Sequence, residues 1–260
     1  MRICAIQMDV VKGDRAANRA TVRRLTAEAV RLCRPDVIVL PELWSTGYAL
    51  DRAAELATPH GEADAAFLGV LAEEFGVAFA GGSVLASRGD RIFNRAQVID
   101  SAGRYLTSYD KIHLFRLMDE DRYLAAGDTR CLFSLGGMTC ASIICYDLRF
   151  CELARRLAVD GAELLFVSAE WPSPRIEHWR TLLRARAIEN QMFVVACNRC
   201  GVTDGTVFAG RSAIITPDGT VLAEAGEGEE IIWADCEPEM VKMVRQTIPV
   251  FEDRMPDCYI

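Results

Sequence analysis

Cys145 closes the apolar run M-T-C-A-S-I-I-C, and the helical pattern that begins with Y-D-L-R-F follows it directly. An apolar strand running into a helix leaves its last residue at a sheet edge, beside the helix's unpaired N–H groups. Those groups and their dipole favour a thiolate over a thiol, which makes Cys145 a candidate nucleophile; taken alone it could equally be a small buried core residue. A cysteine nucleophile needs a base, most often histidine. The chain has three histidines, His60, His113 and His178, and none ends a buried strand from which it could face Cys145. The other route is a cation near the sulfur and a carboxylate that moves protons. Glu42 ends the apolar run D-V-I-V-L-P-E, and Lys111 follows a strand-like segment in Y-D-K-I-H-L-F. Side chains at the carboxyl ends of strands in an α/β sheet converge on one crevice. Separately, Glu42 could cap a helix or pair with an arginine, and Lys111 could be a solvated loop residue. Three such groups at three strand ends are harder to explain that way.

A series of strand–helix units must position them. Ile3 to Met8 reads as a strand, and the helix after it has Asp14 as its cap and Val22, Leu25, Ala29 and Leu32 at helical spacing. Pro35 breaks that helix, and the next run is apolar on both faces, which predicts a buried parallel strand ending at Glu42. A second helix spans about Glu62 to Phe75, with Phe67, Leu68, Leu71 and Phe75 as its buried stripe, and leads into the strand V-A-F-A-G-G-S-V. Ile92 to Asp100 and Arg104 to Tyr109 form a hairpin around S-A-G-R, so the sheet is mixed. The stretch from Asp110 to Arg130 has no clean periodicity, and irregular segments of that length inside a domain are usually functional.

The second half repeats the first in outline. Strands at Cys131 to Leu135 and Met138 to Ile144 precede a helix of about Leu148 to Val159, and E-L-L-F-V-S-A is again a buried strand. A helix from Pro174 to about Asn190, with Ile176, Trp179, Leu183, Ala187 and Ile188 inward, feeds the strand M-F-V-V-A-C-N. Strands at Ala209 to Thr216, Thr220 to Ala225 and Glu230 to Asp235 follow, the first two joined by the turn P-D-G-T. From Glu237 onward the chain is mixed and turn-rich, yet it carries Val250, Phe251 and Tyr259 and so packs on something. This order predicts a layered α/β domain with mixed sheets and helices outside.

Composition narrows the function classes. Of the 260 residues, 51% are hydrophobic and 25% charged, which fits a globular chain with an ample core. A net charge of -8 argues against a nucleic-acid or anionic-membrane surface, so an anionic ligand needs a local basic pocket. No run is long enough to cross a bilayer, and the N-terminal M-R-I-C-A-I-Q-M-D reads as a strand rather than an export signal. The ten cysteines are scattered, mostly in strand-like runs, as expected of buried thiols in a reducing cytoplasm. Cys197 and Cys200 form a CxxC, which could suggest redox or zinc chemistry. It leaves a strand instead of opening a helix, and no second pair of zinc ligands is apparent.

L-P-E-L-W-S-T-G-Y around Glu42, Y-D-K-I-H-L-F around Lys111 and C-Y-D-L-R-F around Cys145 resemble the three signature blocks of the nitrilase superfamily of carbon-nitrogen hydrolases, in the family's order Glu, Lys, Cys. The likeness runs from the first strand to P-D-G-T. H-L-F-R followed by E-D-R-Y-L-A-A-G, then W-P-S-P-R-I-E-H-W and A-R-A-I-E-N-Q, are most similar to the bacterial omega-amidase-type branch. One departure is visible: the family commonly has proline after C-Y-D-L-R-F, and here it is Cys151, which bears only on where the next helix starts.

The resemblance implies a four-layer α-β-β-α sandwich formed by residues 1–260 as one domain, with 237–260 a tail at the interface of a homodimer or higher homo-oligomer. It implies Cys145 as nucleophile, Glu42 as general base and acid, Lys111 with the Tyr146 N–H as oxyanion donors, and Glu120 as a second glutamate beside the lysine. The reaction implied is hydrolysis of a small amide through a thioester, releasing ammonia and a carboxylic acid, with no metal or organic cofactor. Omega-amidase substrates are short dicarboxylic (2-oxo) acid monoamides, so a cation should hold the far carboxylate: Arg116 first, Arg175 second. Arg149 reads as a structural ion-pair residue, and Tyr48, Phe115 and Trp171 could wall the pocket or belong to the core. Alternatives within the family are a deaminated peptide amide, an N-carbamoyl compound or a nitrile. From another class, the alternative is a thiol redox protein working through Cys197 and Cys200.

Overall fold

The computed structural model describes residues 1–80 and 82–259. Its organisation follows from strands that are apolar at every position. In Arg2–Gln7, Ile3 and Ala5 point to one face of the sheet and Cys4 and Ile6 to the other, and all four are buried. Such a strand needs cover on both sides, and it receives a second sheet on one and helices on the other.

The first sheet runs Glu230–Asp235, Arg2–Gln7, Val37–Val39, Ala78–Phe79, Arg91–Ile99, Ser83–Arg88 and Thr58–Pro59, with Tyr105–Asp110 also paired to Arg91–Ile99. The second runs Val221–Glu224, Ala213–Ile215, Phe193–Asn198, Leu164–Ala169, Met138–Ile144 and Leu132–Leu135. Each combines parallel pairs at its centre with antiparallel pairs outside them, and in the first the edge strand Thr58–Pro59 is again parallel to its neighbour, so both are mixed. Ile3, Ala5, Val37 and Val39 of the first meet Leu164, Phe166, Phe193 and Val195 of the second in a central apolar layer. Cys4, Ile6 and Ile38, on the outer face, pack with Val22, Leu25 and Leu71 of the helices Arg15–Cys33 and Glu62–Phe75. On the other side Leu165, Val167 and Val194 pack with Leu157, Trp179 and Leu183 of Cys151–Val159 and Ile176–Asn190. The layers are therefore helix, sheet, sheet, helix, as expected.

Differences from the sequence reading lie at element edges. Asp14 caps its helix by accepting from the Ala17 N–H at 2.9 Å, and Val22, Leu25 and Ala29 are buried. Leu32 is 45% exposed, because Cys33, four residues after Ala29, is the residue that turns toward the sheet. Ile188 likewise faces out while Trp179, Leu183 and Ala187 are buried. Phe67 and Phe75 are half-buried beside buried Leu68 and Leu71. The V-A-F-A-G-G-S-V run splits into Ala78–Phe79 and the start of Ser83–Arg88, and Gly81 within it lies outside the described residues. After Glu237 the chain forms a helix, Pro238–Thr247, before it turns. Proline at a helix start costs no hydrogen bond, and Val241 anchors this helix in the central apolar layer. Ile260, at the end of the expected tail, is outside the described residues.

Candidate active site

Three strand ends meet at one buried cluster. Glu42 follows Val37–Val39, Lys111 follows Tyr105–Asp110, Cys145 follows Met138–Ile144, and the side chains of Glu42 and Lys111 are fully buried. Lys111 Nζ donates to Glu42 Oε1 at 2.8 Å and to Glu120 Oε1 at 2.7 Å. Burial pulls an ammonium's pKa down, but the charges of Glu120 and Glu42 outweigh it and hold Lys111 above its ordinary range. Lys111 is thus a fixed cation, which a solvated loop lysine would not be.

The irregular 110–130 stretch is what brings the second glutamate in. The Gly127 N–H donates to the Lys111 carbonyl at 2.8 Å, and a Cβ at Gly127 would lie 2.2 Å from the Asp110 carbonyl oxygen, so only glycine fits there. Glu120 opens the short helix Glu120–Tyr123, and its Oε2 accepts the Phe115 N–H at 2.6 Å. Glu42 Oε1 is also bonded by Asn94 Nδ2 at 2.7 Å, while Oε2 accepts the Glu170 N–H at 2.8 Å. Tyr48 Oη lies 3.0 Å from Glu42 Oε1 and 2.6 Å from Glu120 Oε1 and donates its one proton to either. Tyr48 is therefore bonded to both carboxylates, and it is not among the residues that line the cleft to Cys145.

Cys145 begins a five-residue 3-10 helix, Cys145–Arg149, with φ of 46°, a left-handed conformation that costs a residue bearing a Cβ on the order of 1–3 kcal/mol. The turn is held from below by Asp147, which is fully buried. Its Oδ2 accepts from the Ile144 N–H at 3.0 Å and from Tyr109 Oη at 2.8 Å, and its Oδ1 accepts the His113 N–H at 3.0 Å. The Tyr146 N–H lies in the first turn, where amides have no partner within the helix. The α-helix itself starts at Cys151, the position where the resemblance would place proline.

Burial, and after it the Glu42 carboxylate, push the Cys145 thiol well above its ordinary value, with Lys111 opposing and Glu120 adding to the rise. A nucleophile raised in this way depends on a nearby base to take its proton.

A narrow, partly open cleft leads to Cys145, with room for little more than a water-sized molecule, about 10 Å³. Phe115, Tyr146, Trp171 and Pro172 line it together with two arginines, Arg149 and Arg175. Arg149 lies 4.7 Å over the Trp171 ring, and Arg175 lies 5.5 Å over Phe115. Neither forms an ion pair among the described residues, so Arg149 is not the structural ion-pair residue expected. Arg116 is exposed and lines an adjoining groove with His113, Leu114 and Leu117. It starts its own short helix, Arg116–Met118, and is not among the residues that line the cleft to Cys145, although Phe115 and Tyr146 line both.

The remaining candidates fall elsewhere. Cys197 is buried with its sulfur donating to the Ile6 carbonyl at 3.1 Å, and Cys200 opens the hairpin of Cys200–Thr203 and Thr206–Ala209 where turns were expected. Burial pushes both thiols up, Cys200 to about 11, the opposite of a redox-active pair. Among the described residues no cluster of His, Cys, Asp or Glu is arranged to hold a metal ion, and no helix is long and apolar enough to cross a membrane. Sequence reasoning missed Asn94, Asp147 and Glu170. Asn94 and Asp147 carry no signal in the chain, whereas Glu170 ends the buried strand Leu164–Ala169 as Glu42 and Cys145 end theirs, and the same rule finds it. Burial pushes the Glu170 carboxyl up to about 8 against the pull of Arg199.

The chain's similarity to known proteins accords with this geometry. The family profile described as carbon-nitrogen hydrolase matches residues 2–246. A 2-oxoglutaramate amidase of Bacillus subtilis is 46% identical over 224 residues, covering 86% of this chain and 86% of its own. The crystal structure of XC1258 from Xanthomonas campestris, a CN-hydrolase superfamily protein with an arsenic adduct in its active site, is 31% identical. It superposes with a TM-score of 0.91 over 98% of this chain and 97% of its own. An amidase from Nesterenkonia sp. AN1, with one glutamate replaced by glutamine and the acetamide moiety of fluoroacetamide added covalently at its active-site cysteine, is 25% identical. Its TM-score is 0.88 over 100% of this chain and 95% of its own. With the match spanning nearly its whole length and the helix–sheet–sheet–helix layering shared, this chain belongs to the carbon-nitrogen hydrolase family, within the nitrilase superfamily.

Proposed function

We propose that the protein is an amidase with a Glu42–Lys111–Cys145 triad that hydrolyses short dicarboxylic monoamides of the 2-oxoglutaramate type. The observation that carries this is the buried cluster in which Lys111 bridges Glu42 and Glu120 beside the buried thiol of Cys145.

Glu42 takes the thiol proton as sulfur attacks the amide carbon. Its Oε1 is already engaged by Lys111 and Asn94, so Oε2, held among the described residues by the Glu170 N–H alone, is the oxygen that accepts it. The carbonyl oxygen becomes an oxyanion held by Lys111 and the Tyr146 N–H, each such donor being worth about 2.7–4 kcal/mol of barrier. Collapse breaks the C–N bond, Glu42 returns the proton to the leaving nitrogen, and ammonia departs from a thioester. Water activated by Glu42 then hydrolyses the thioester to a carboxylic acid and restores the thiol. Glu120 keeps Lys111 charged and in place. Arg149 and Arg175, without carboxylate partners at the cleft, hold the far carboxylate; Phe115 and Trp171 shape the walls. Nothing in this scheme calls for a metal or organic cofactor.

The test is ammonia release from a panel of monoamides, with Cys145→Ala as control. Dicarboxylic monoamides should be turned over fastest; carbon dioxide appearing with ammonia would reassign the enzyme to N-carbamoyl compounds. The exposed Met243, Ile248 and Met255 on the C-terminal helix and tail support a homodimer through that surface, checked by sedimentation. The ten free thiols fit a reducing cytoplasm.

A further inference from the structure

We propose that Glu170, clamped by Arg199, is a positioning residue for the general base Glu42. The proposal rests on the role assigned to Glu42 above and adds a residue that acts through it.

Glu42 Oε2, the oxygen left free to take the thiol proton, has one hydrogen-bond donor among the described residues: the main-chain N–H of Glu170 at 2.8 Å. That N–H sits in three residues just past the strand Leu164–Ala169, and the neighbouring strand Phe193–Asn198 ties them on both sides. Asn198 Oδ1 accepts the Trp171 N–H at 2.7 Å, its Nδ2 donates to the Trp171 carbonyl at 3.2 Å, and the Arg199 N–H donates to the Ala169 carbonyl at 3.0 Å. Only Glu170 itself is left to be fixed, and its side chain does this. Glu170 Oε2 accepts from Arg199 Nη1 at 3.1 Å, with both side chains fully buried.

Arg199 is in turn immobilised. Its Nη2 donates to Asp9 Oδ1 at 2.6 Å and to the Val10 carbonyl at 2.9 Å, and its Nε donates to the Cys200 carbonyl at 3.0 Å. The charged groups facing Glu170 are Arg199, Glu42 and Lys111, with the exposed Asp9 beyond Arg199. Glu170 Oε1 is buried with no hydrogen-bond partner among the described residues, which costs stability. A buried carboxylate kept there despite that cost is accounted for if its task is to pin the peptide that holds the base.

Alkylation of Cys145 by iodoacetamide tests this without any amide turnover, because it reads the transfer of the thiol proton to Glu42. Second-order rate constants would be measured from pH 5 to 9 for the full chain and for Glu170→Ala, Arg199→Met and Glu170→Gln. Losing a hydrogen bond to a carboxylate raises its pKa. Glu170→Ala and Arg199→Met should therefore slow alkylation about tenfold or more at pH 6 and move the low-pH limb upward by about half a unit or more. Glu170→Gln, which keeps an oxygen for Arg199, should stay within about threefold with the limb in place. A folded Glu170→Ala or Arg199→Met protein with unchanged rate and limb overturns the proposal. So does a Glu170→Gln protein as slow as Glu170→Ala, and so does failure of both the Ala and Met variants to fold, which would make the clamp purely structural. Normal alkylation behaviour with no ammonia from any monoamide would instead sink the amidase reading and leave the clamp standing.

Discussion

Two charged regions face the same cysteine and are built on opposite plans. Glu42, Lys111 and Glu120 are each 0% exposed and bonded to one another through Lys111; at the cleft, Arg149 and Arg175 rest on aromatic rings with no carboxylate among the described residues to neutralise them. A saturated buried cluster is rigid, so it suits a reaction that needs fixed donors and a fixed base. An unsaturated pair at an opening waits for a charge that arrives from outside. The difference separates chemistry from recognition in space, and substitutions should separate it in kinetics.

The largest effect belongs to the buried side. Cys145→Ala should abolish hydrolysis altogether, measured as ammonia release. Lys111→Met should cut acylation by two or more orders of magnitude, as expected of a lost oxyanion donor. It should also destabilise by about 3–5 kcal/mol, because Glu42 and Glu120 are left buried and facing each other. Near-normal turnover in this variant would erase the contrast between the two regions.

On the cleft side, Arg149→Met or Arg175→Met should raise KM for dicarboxylic monoamides about tenfold, leave kcat within about threefold, and leave neutral amides unaffected, since only uniform binding is lost. A fall in kcat of the Lys111 size would show that the arginines belong to the chemistry after all.

A smaller effect concerns stability against pH. The Glu170 carboxyl is raised by burial from its ordinary value to about 8 in the folded protein. A group held more protonated in the folded state contributes stability that is complete below its unfolded pKa and is lost as pH rises through the folded one. The thermal midpoint of Glu170→Gln should therefore pull ahead of wild type between about pH 4.5 and pH 8, and the gap should level off above that. A constant gap would mean Glu170 does not titrate in that range. Smallest of all, Cys197→Ala should leave ammonia release unchanged, since its thiol sits far back in the sheet core bonded to the Ile6 carbonyl.

Much of this was legible before any coordinates. Runs apolar at every position, such as Ile3–Ile6 and Leu164–Val167, can only be strands covered on both faces, and that requirement leads to the layered fold. The positions of Glu42, Lys111 and Cys145 at strand ends followed from the same runs. Helix faces were read one residue wrong where two apolar residues compete, as at Leu32 and Cys33. The carboxylates around Cys145 that raise its thiol were only partly legible, because a sequence shows which residue follows the sulfur and not every group that surrounds it.

The chain by itself determined the periodicities, and with them which elements form, which are buried, and which polar residues stand at their ends, since these depend on neighbours within a few positions. What only the tertiary structure decided is who meets whom across distant segments: that Arg149, and not Arg116, shares the cleft with Arg175, that Tyr48 is bonded to both carboxylates, and that Glu170 and Arg199 stand behind Glu42. Those outcomes depend on the path of loops and the packing of one strand end against another. Side-chain direction there is fixed by contacts among residues up to 190 positions apart, as between Asp9 and Arg199, and no local pattern encodes them.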